Sequence, residues 1–175
     1  DMTERCWPVR RLSCDFCVGK NHCDQCSREV TERLLRCPGV EAVRLDLKEG
    51  TVWMQGRDED ALLDALDEAG LAHVGTYRTQ EEQAAGRIHL ADVGGISVAF
   101  LGYTYGTNGI PVPGGREYAV DLFNTDYMTT LSTPDTGRIE ADLAAARALE
   151  PDLIAVLIHW GVEYQTAQNS YQEQI

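Results

Sequence analysis

The stretch Leu153–Tyr164 reads LIAVLIHWGVEY, an apolar run that stops at His159, Trp160 and Gly161. Six consecutive apolar residues, Leu153 to Ile158, predict a strand buried on both faces, as in a parallel sheet covered by helices. Side chains at the end of such a strand emerge at the carboxyl edge of the sheet, where open α/β sheets bind ligands. His159 in that position is a candidate metal ligand or general acid/base. The alternative is a histidine that caps the strand and hydrogen-bonds a loop carbonyl.

The flanking sequence supports the same architecture. Arg138 to Leu149, rich in alanine and leucine and ended by Glu150-Pro151, reads as a helix feeding the strand Asp152 to Ile158. Together they form part of an αβ layer. Ile96 to Tyr103 reads as a second strand, entered through the Gly94-Gly95 turn, and Glu117 to Phe123 as a third. Glycine and proline dominate Gly106 to Gly115, a long loop at the carboxyl end of the second strand. Tyr103, Tyr105 and Asn108 either shape a substrate cleft there or pin the loop onto the sheet.

Composition excludes some functions and divides the chain. A net charge of −13 over 175 residues argues against nucleic acid, whose phosphates require a basic surface. No apolar run approaches the length of a membrane span. Residues 1–60 carry 12 acidic and 10 basic side chains, whereas residues 61–175 carry 16 and 5. All six cysteines lie at or before Cys37. These shifts predict a cysteine-rich segment over 1–60, extending at most to 76, joined to a second unit over 61–175. Asp1 in place of an initiator methionine, and a polar end at Ile175, suggest a piece of a longer chain, so localisation does not follow from the sequence.

The amino-terminal segment holds two CxxC pairs, Cys14/Cys17 and Cys23/Cys26. Thiolates at this spacing can bind a soft ion from one tight turn, and four of them could close around zinc. A disulfide framework and reduced surface thiols are the other readings. After Cys26, Ser27 can cap a helix whose apolar positions are Val30, Leu34 and Leu35, stopped by Pro38-Gly39. Val43, Leu45 and Leu47, then Val52 and Met54, alternate across Lys48-Glu49-Gly50 as a hairpin. Asp60 to Ala69 is a second helix with a Leu62, Leu63, Leu66 stripe, stopped by Gly70 and followed by a short strand over Leu71 to Thr76.

Two resemblances emerge from these motifs. HCDQCSREVTERLLRCPGVEAVRLDLKEGTVWMQG, followed by ALLDALDEAG, resembles the heavy-metal-associated domain over about residues 12–76. That resemblance implies a small ferredoxin-like βαββαβ unit in which Cys23 and Cys26 hold Cu(I) or zinc, with the helix N-terminus lowering the Cys26 thiol pKa. GYTYGTNG (Gly102–Gly109) and IHWGVEY (Ile158–Tyr164), in that order, resemble the CapA family of capsule or poly-γ-glutamate biosynthesis over about residues 61–175.

The CapA resemblance implies part of a metallophosphatase-like (calcineurin-like) α/β sandwich, an extracytoplasmic or cell-surface setting, and an anionic polymer or its precursor as substrate. It also implies a divalent metal ion, with His159 as ligand and catalytic residue and with Tyr105, Asn108 and Trp160 contacting substrate. The metallophosphatase-like site further calls on an early Asp motif, a central Asn-His motif and a final Gly-His-x-His motif, which this sequence does not show in their places. The expectation is a central piece of the family fold, inactive by itself because one histidine does not hold a dinuclear centre.

Overall fold

The computed structural model describes residues 2–8, 10–11, 24–46, 51–162 and 164–175. They belong to two units, Asp1–His73 and Val74–Ile175. In the first, β1 (Thr3–Pro8) and β2 (Arg10–Arg11) precede α1 (Asp24–Arg36), β3 (Val40–Asp46), β4 (Thr51–Gly56), α2 (Glu59–Ala69) and β5 (Leu71–Ala72). β1 and β3 flank β4, both antiparallel to it, and β2 pairs antiparallel with β5. Taken as one interrupted strand, β1 and β2 give the neighbour relations of a ferredoxin-like βαββαβ sheet. That strand begins at Thr3, earlier than residue 12. Over Thr3 to Trp7 the side chains other than the buried Trp7 are half-buried or exposed, so hydropathy alternation did not mark it.

Local chemistry explains these elements. The hairpin register places Val43 opposite Met54 and Leu45 opposite Val52, so one face of the pair is apolar. Asp58 caps α2 by accepting the Ala61 N–H at 2.8 Å, and Gly70 ends it at φ 70°. Gly56 lies so close to the turn between α1 and β3 that a Cβ there would stand 2.2 Å from the Gly39 carbonyl oxygen. Leu62, Leu63 and Leu66 are buried in one core with Val30, Leu34 and Trp7.

Two expectations for α1 need correction. The helix starts at Asp24, so Ser27 lies within it and is not its cap. Cys37, and not Leu35, completes the stripe begun by Val30 and Leu34; Leu35 is 46% exposed. Positions 30, 34 and 37 share a helix face, whereas residue 35 is rotated about 100° from residue 34. The Cys37 thiol lies 3.3 Å from both the Arg33 carbonyl and the Glu68 carboxylate. Burial and then Glu68 push its pKa up, which keeps it a packed, protonated thiol.

The second unit contains α3 (Gln80–Gly86), β6 (His89–Asp92), β7 (Ser97–Thr104), α4 (Gly137–Ala148) and β8 (Leu153–His159). β7 is central, antiparallel to β6 and parallel to β8. Gly94 and Gly95, at φ 64° and 87°, make the β6–β7 turn. Ile139, Asp142 and Ala146 form the buried stripe of α4.

Three strand expectations change in detail. β8 is half-buried along its centre and Leu153 is 56% exposed, because among the described residues β8 pairs with β7 alone. β5 stops at Ala72. The segment Glu117 to Phe123 is a short 3-10 turn over Glu117–Ala119 followed by isolated bridges. Its backbone divides its bonds: Ala119 O and Asp121 N pair with Tyr77 and Gly75, whereas Asp121 O and Phe123 N pair with Thr104. No single partner strand receives a continuous ladder.

Truncating Leu66 to alanine is expected to cost about 2–5 kcal/mol, because it opens a cavity in a fully buried stripe. Leu35→Ala, on the exposed face of α1, should change stability by no more than about 0.5 kcal/mol. Urea unfolding of the two variants checks both values.

Candidate functional site at the carboxyl end of the parallel pair

Parallel pairing of β7 with β8 aligns Thr104 with His159, so the two separated motifs meet at one sheet edge. The exposed His159 presents Nδ1 at 3.0 Å from Thr104 Oγ1. The Tyr105 N–H donates to the His159 carbonyl at 3.0 Å, and the two rings meet edge-on with centroids 5.4 Å apart. Tyr105 O in turn accepts from Asn124 Nδ2, and Asn124 Oδ1 accepts the Tyr171 hydroxyl. Both motifs are thereby tied to the loop that follows.

Trp160 packs edge-on against Phe123, which stacks on Tyr171. Beside it lies a hollow of about 290 Å³ whose other walls include Gln165, Thr166, Gln168 and Gln172. Among the described residues, no side chain lining it carries a formal charge. His159 and Tyr105 are therefore neighbours, and Trp160, next in sequence to His159, turns its ring onto Phe123. Asn108 is not joined to them by any hydrogen bond among the described residues. It occupies a tight turn with Gly109 (φ 52° and 78°), closed by Ile110 N–H to Thr107 O at 3.0 Å. Asn-Gly with two positive φ angles is the preferred chemistry of such a turn. Tyr103 faces the other way, where its hydroxyl donates to Asp142 at 2.9 Å; it pins the sheet to α4.

The donor set at His159 does not amount to a metal centre. Among the described residues, no group of three His, Cys, Asp or Glu side chains includes it. It offers one imidazole nitrogen. Of the cysteines, Cys14, Cys17 and Cys23 lie outside the described residues, and Cys26 belongs to the first turn of α1.

Sequence reasoning missed the polar residues that hold this edge in place. Asp121, 2% exposed, accepts the Tyr77 hydroxyl on Oδ2 at 2.9 Å. Its Oδ1 accepts Gln83 Nε2 at 2.8 Å and Arg138 Nη1 at 2.9 Å. Asp142, 1% exposed, takes the Tyr103 hydroxyl and pairs with Arg87 at 2.7 Å. Asp142 carried a signal, since an acid within the apolar stripe of a helix requires a partner. Asp121 carried none, because its partners come from three distant segments.

Comparisons with known proteins follow the division into units. Residues 59–175 match the family model described as bacterial capsule synthesis protein PGA_cap, and residues 16–70 match the heavy-metal-associated domain. The first match makes the second unit part of a metallophosphatase-like fold; α2 falls within both matched ranges. No curated protein matches the chain significantly. Among solved structures, a candidate copper-ion-binding protein from Bacillus anthracis is 19% identical, covering 42% of this chain and 96% of its own, with a TM-score of 0.32. A copper-loaded CopA variant from Bacillus subtilis is 18% identical over 42% and 90%, with a TM-score of 0.30.

Burial raises the Asp121 carboxyl above the usual Asp value, while Tyr77, Gln83 and Arg138 oppose that rise. A raised folded-state pKa means that the stability contributed is fully present below the unfolded value of about 3.9 and lost as pH rises through the folded one. Asp121→Asn should remove this fall. Urea midpoints of the variant and the wild type, taken in steps upward from about pH 4, are expected to fall less steeply with pH in the variant.

Proposed function

Because the chain belongs to the family of bacterial capsule synthesis proteins, PGA_cap, we propose that it serves in making a capsule or poly-γ-glutamate polymer. The contact of an anionic polymer or its precursor is placed at the carboxyl edge of β7 and β8. The observation that carries this reading is the Thr104–His159 alignment, which brings two motifs 55 residues apart into one exposed site. His159 is the site residue, through an imidazole able to exchange a proton or contribute one ligand to a divalent cation. The Tyr105 ring is its aromatic wall, and Trp160 and Asn108 are the further residues assigned to polymer contact. The acidity of the chain repels a polyanion, so binding requires screening or bridging cations.

A second reading concerns the first unit. Its ferredoxin-like order, the heavy-metal-associated match and a helix that starts between Cys23 and Cys26 support capture of a soft ion, Cu(I) or Zn(II), as cargo. The two readings address different units and are tested separately.

For the first, purified chain is titrated with poly-γ-glutamate in millimolar Mg²⁺. Saturable binding that weakens about tenfold in His159→Ala, a loss of about 1.4 kcal/mol, is expected; binding equal in the two proteins removes His159 from the site. For the second, Cu(I) competition against a chelator should give stoichiometric binding that disappears in Cys23→Ser/Cys26→Ser. Wild type that fails to compete ends the soft-metal reading.

A further inference from the structure

We propose that Thr104 is the positioning residue of His159: its hydroxyl holds the imidazole in the Nδ1–H tautomer and leaves the Nε2 lone pair as the outward-facing base or ligand atom. The inference rests on His159 being the site residue. It comes from a complete account of one hydroxyl.

Thr104 Oγ1 has three neighbours at hydrogen-bonding distance: Gly106 O at 2.8 Å, His159 Nδ1 at 3.0 Å and the Gly106 N–H at 3.4 Å. A hydroxyl has one proton to donate and two lone pairs to accept with. The Gly106 carbonyl can only accept, so it takes the single proton. The Gly106 amide can only donate, so it takes one lone pair. The remaining lone pair faces His159 Nδ1, which must therefore carry a hydrogen. In a neutral imidazole the other nitrogen is then the acceptor. Nε2 has no hydrogen-bond partner among the described residues.

The rest of the site keeps this arrangement rigid. Thr104 N–H donates to Asp121 O and Thr104 O accepts Phe123 N–H, so its backbone is bonded on the side away from β8. On the β8 side, the strand register and the Tyr105 N–H to His159 O bond fix the imidazole's own backbone. The Tyr105 ring then stands edge-on to the imidazole, at an interplanar angle of 84°. Setting one imidazole nitrogen through an outer hydrogen bond is how proteins commonly orient a histidine for a ligand or a proton.

The test is long-range ¹H–¹⁵N correlation of the imidazoles in ¹⁵N-labelled chain, about two pH units above the ordinary histidine pKa of about 6.5. The His159 signal is identified by its loss in His159→Gln. Wild type should show the Nδ1–H pattern. Thr104→Val should lower the Nδ1–H to Nε2–H ratio about tenfold, the worth of one ordinary hydrogen bond, and Thr104→Ser should restore it. An Nε2–H pattern in wild type overturns the proposal, as does an unchanged ratio in a folded Thr104→Val. If Thr104→Val fails to fold, the wild-type pattern and Thr104→Ser decide alone. Polymer binding unaffected by His159→Ala would fail the site reading while leaving this tautomer result intact, so the two failures are distinguishable.

Discussion

Parallel strands have no tight turn to hold them in register, so the pairing of β7 with β8 depends on how the crossover between them docks. That crossover includes α4, and α4 is seated by two carboxylates almost wholly removed from water. Asp142 lies in the middle of its buried stripe and takes the Tyr103 hydroxyl and the Arg87 guanidinium. Asp121 takes Arg138 from its first turn. A buried carboxylate without partners costs several kcal/mol, roughly, whereas a paired one is tolerated. The helix therefore has one favourable seat. A slip of one residue in β8 would carry His159 to the opposite face of the sheet.

The same constraint divides the work within a single motif. Tyr103 and Thr104 are adjacent, and strand alternation sends one side chain toward α4 and the other toward His159. Tyr103 secures the helix that fixes the register, and Thr104 uses that register to set the imidazole. Tyr105, the next residue, ties its main chain to His159 and Asn124 and closes the site with its ring. The two carboxylates therefore matter to the exposed edge although they are themselves buried, their arginine partners Arg87 and Arg138 being the members that reach solvent. The hollow beside Trp160 adds a wall whose described side chains are all uncharged.

The first unit has a core of its own, in which α2 contributes a full apolar stripe. Both family matches include α2, since an amphipathic helix with a glycine stop and a short following strand suits either fold. Periodicity could locate this helix to within a residue but could not say which core it completes. Packing decides that, because Leu62, Leu63 and Leu66 are buried with Val30, Leu34 and Trp7. The first strand was harder to read: among its described side chains Trp7 is the one fully buried large residue, and the positions before it are held by threonine, glutamate, arginine and cysteine.

By itself the sequence determined the elements whose signals are local. These are the apolar alternation of the hairpin strands, the stripe of α2 and its stop at Gly70, the Gly94-Gly95 turn, the helix before β8 and the abrupt end of β8 at His159. It also determined the two motifs and their order. Only the tertiary structure decided which face of β8 is covered and that Glu117 to Phe123 shares its hydrogen bonds between two partners. It alone brought Asp121 to Arg138, Asp142 to Tyr103 and Thr104 to His159. The physical reason is range. Propensity, caps and periodicity act within a few residues, whereas a buried carboxylate or a tautomer-setting hydroxyl is defined by partners 17 to 55 residues away, and it acquires a role only when the sheet brings them together.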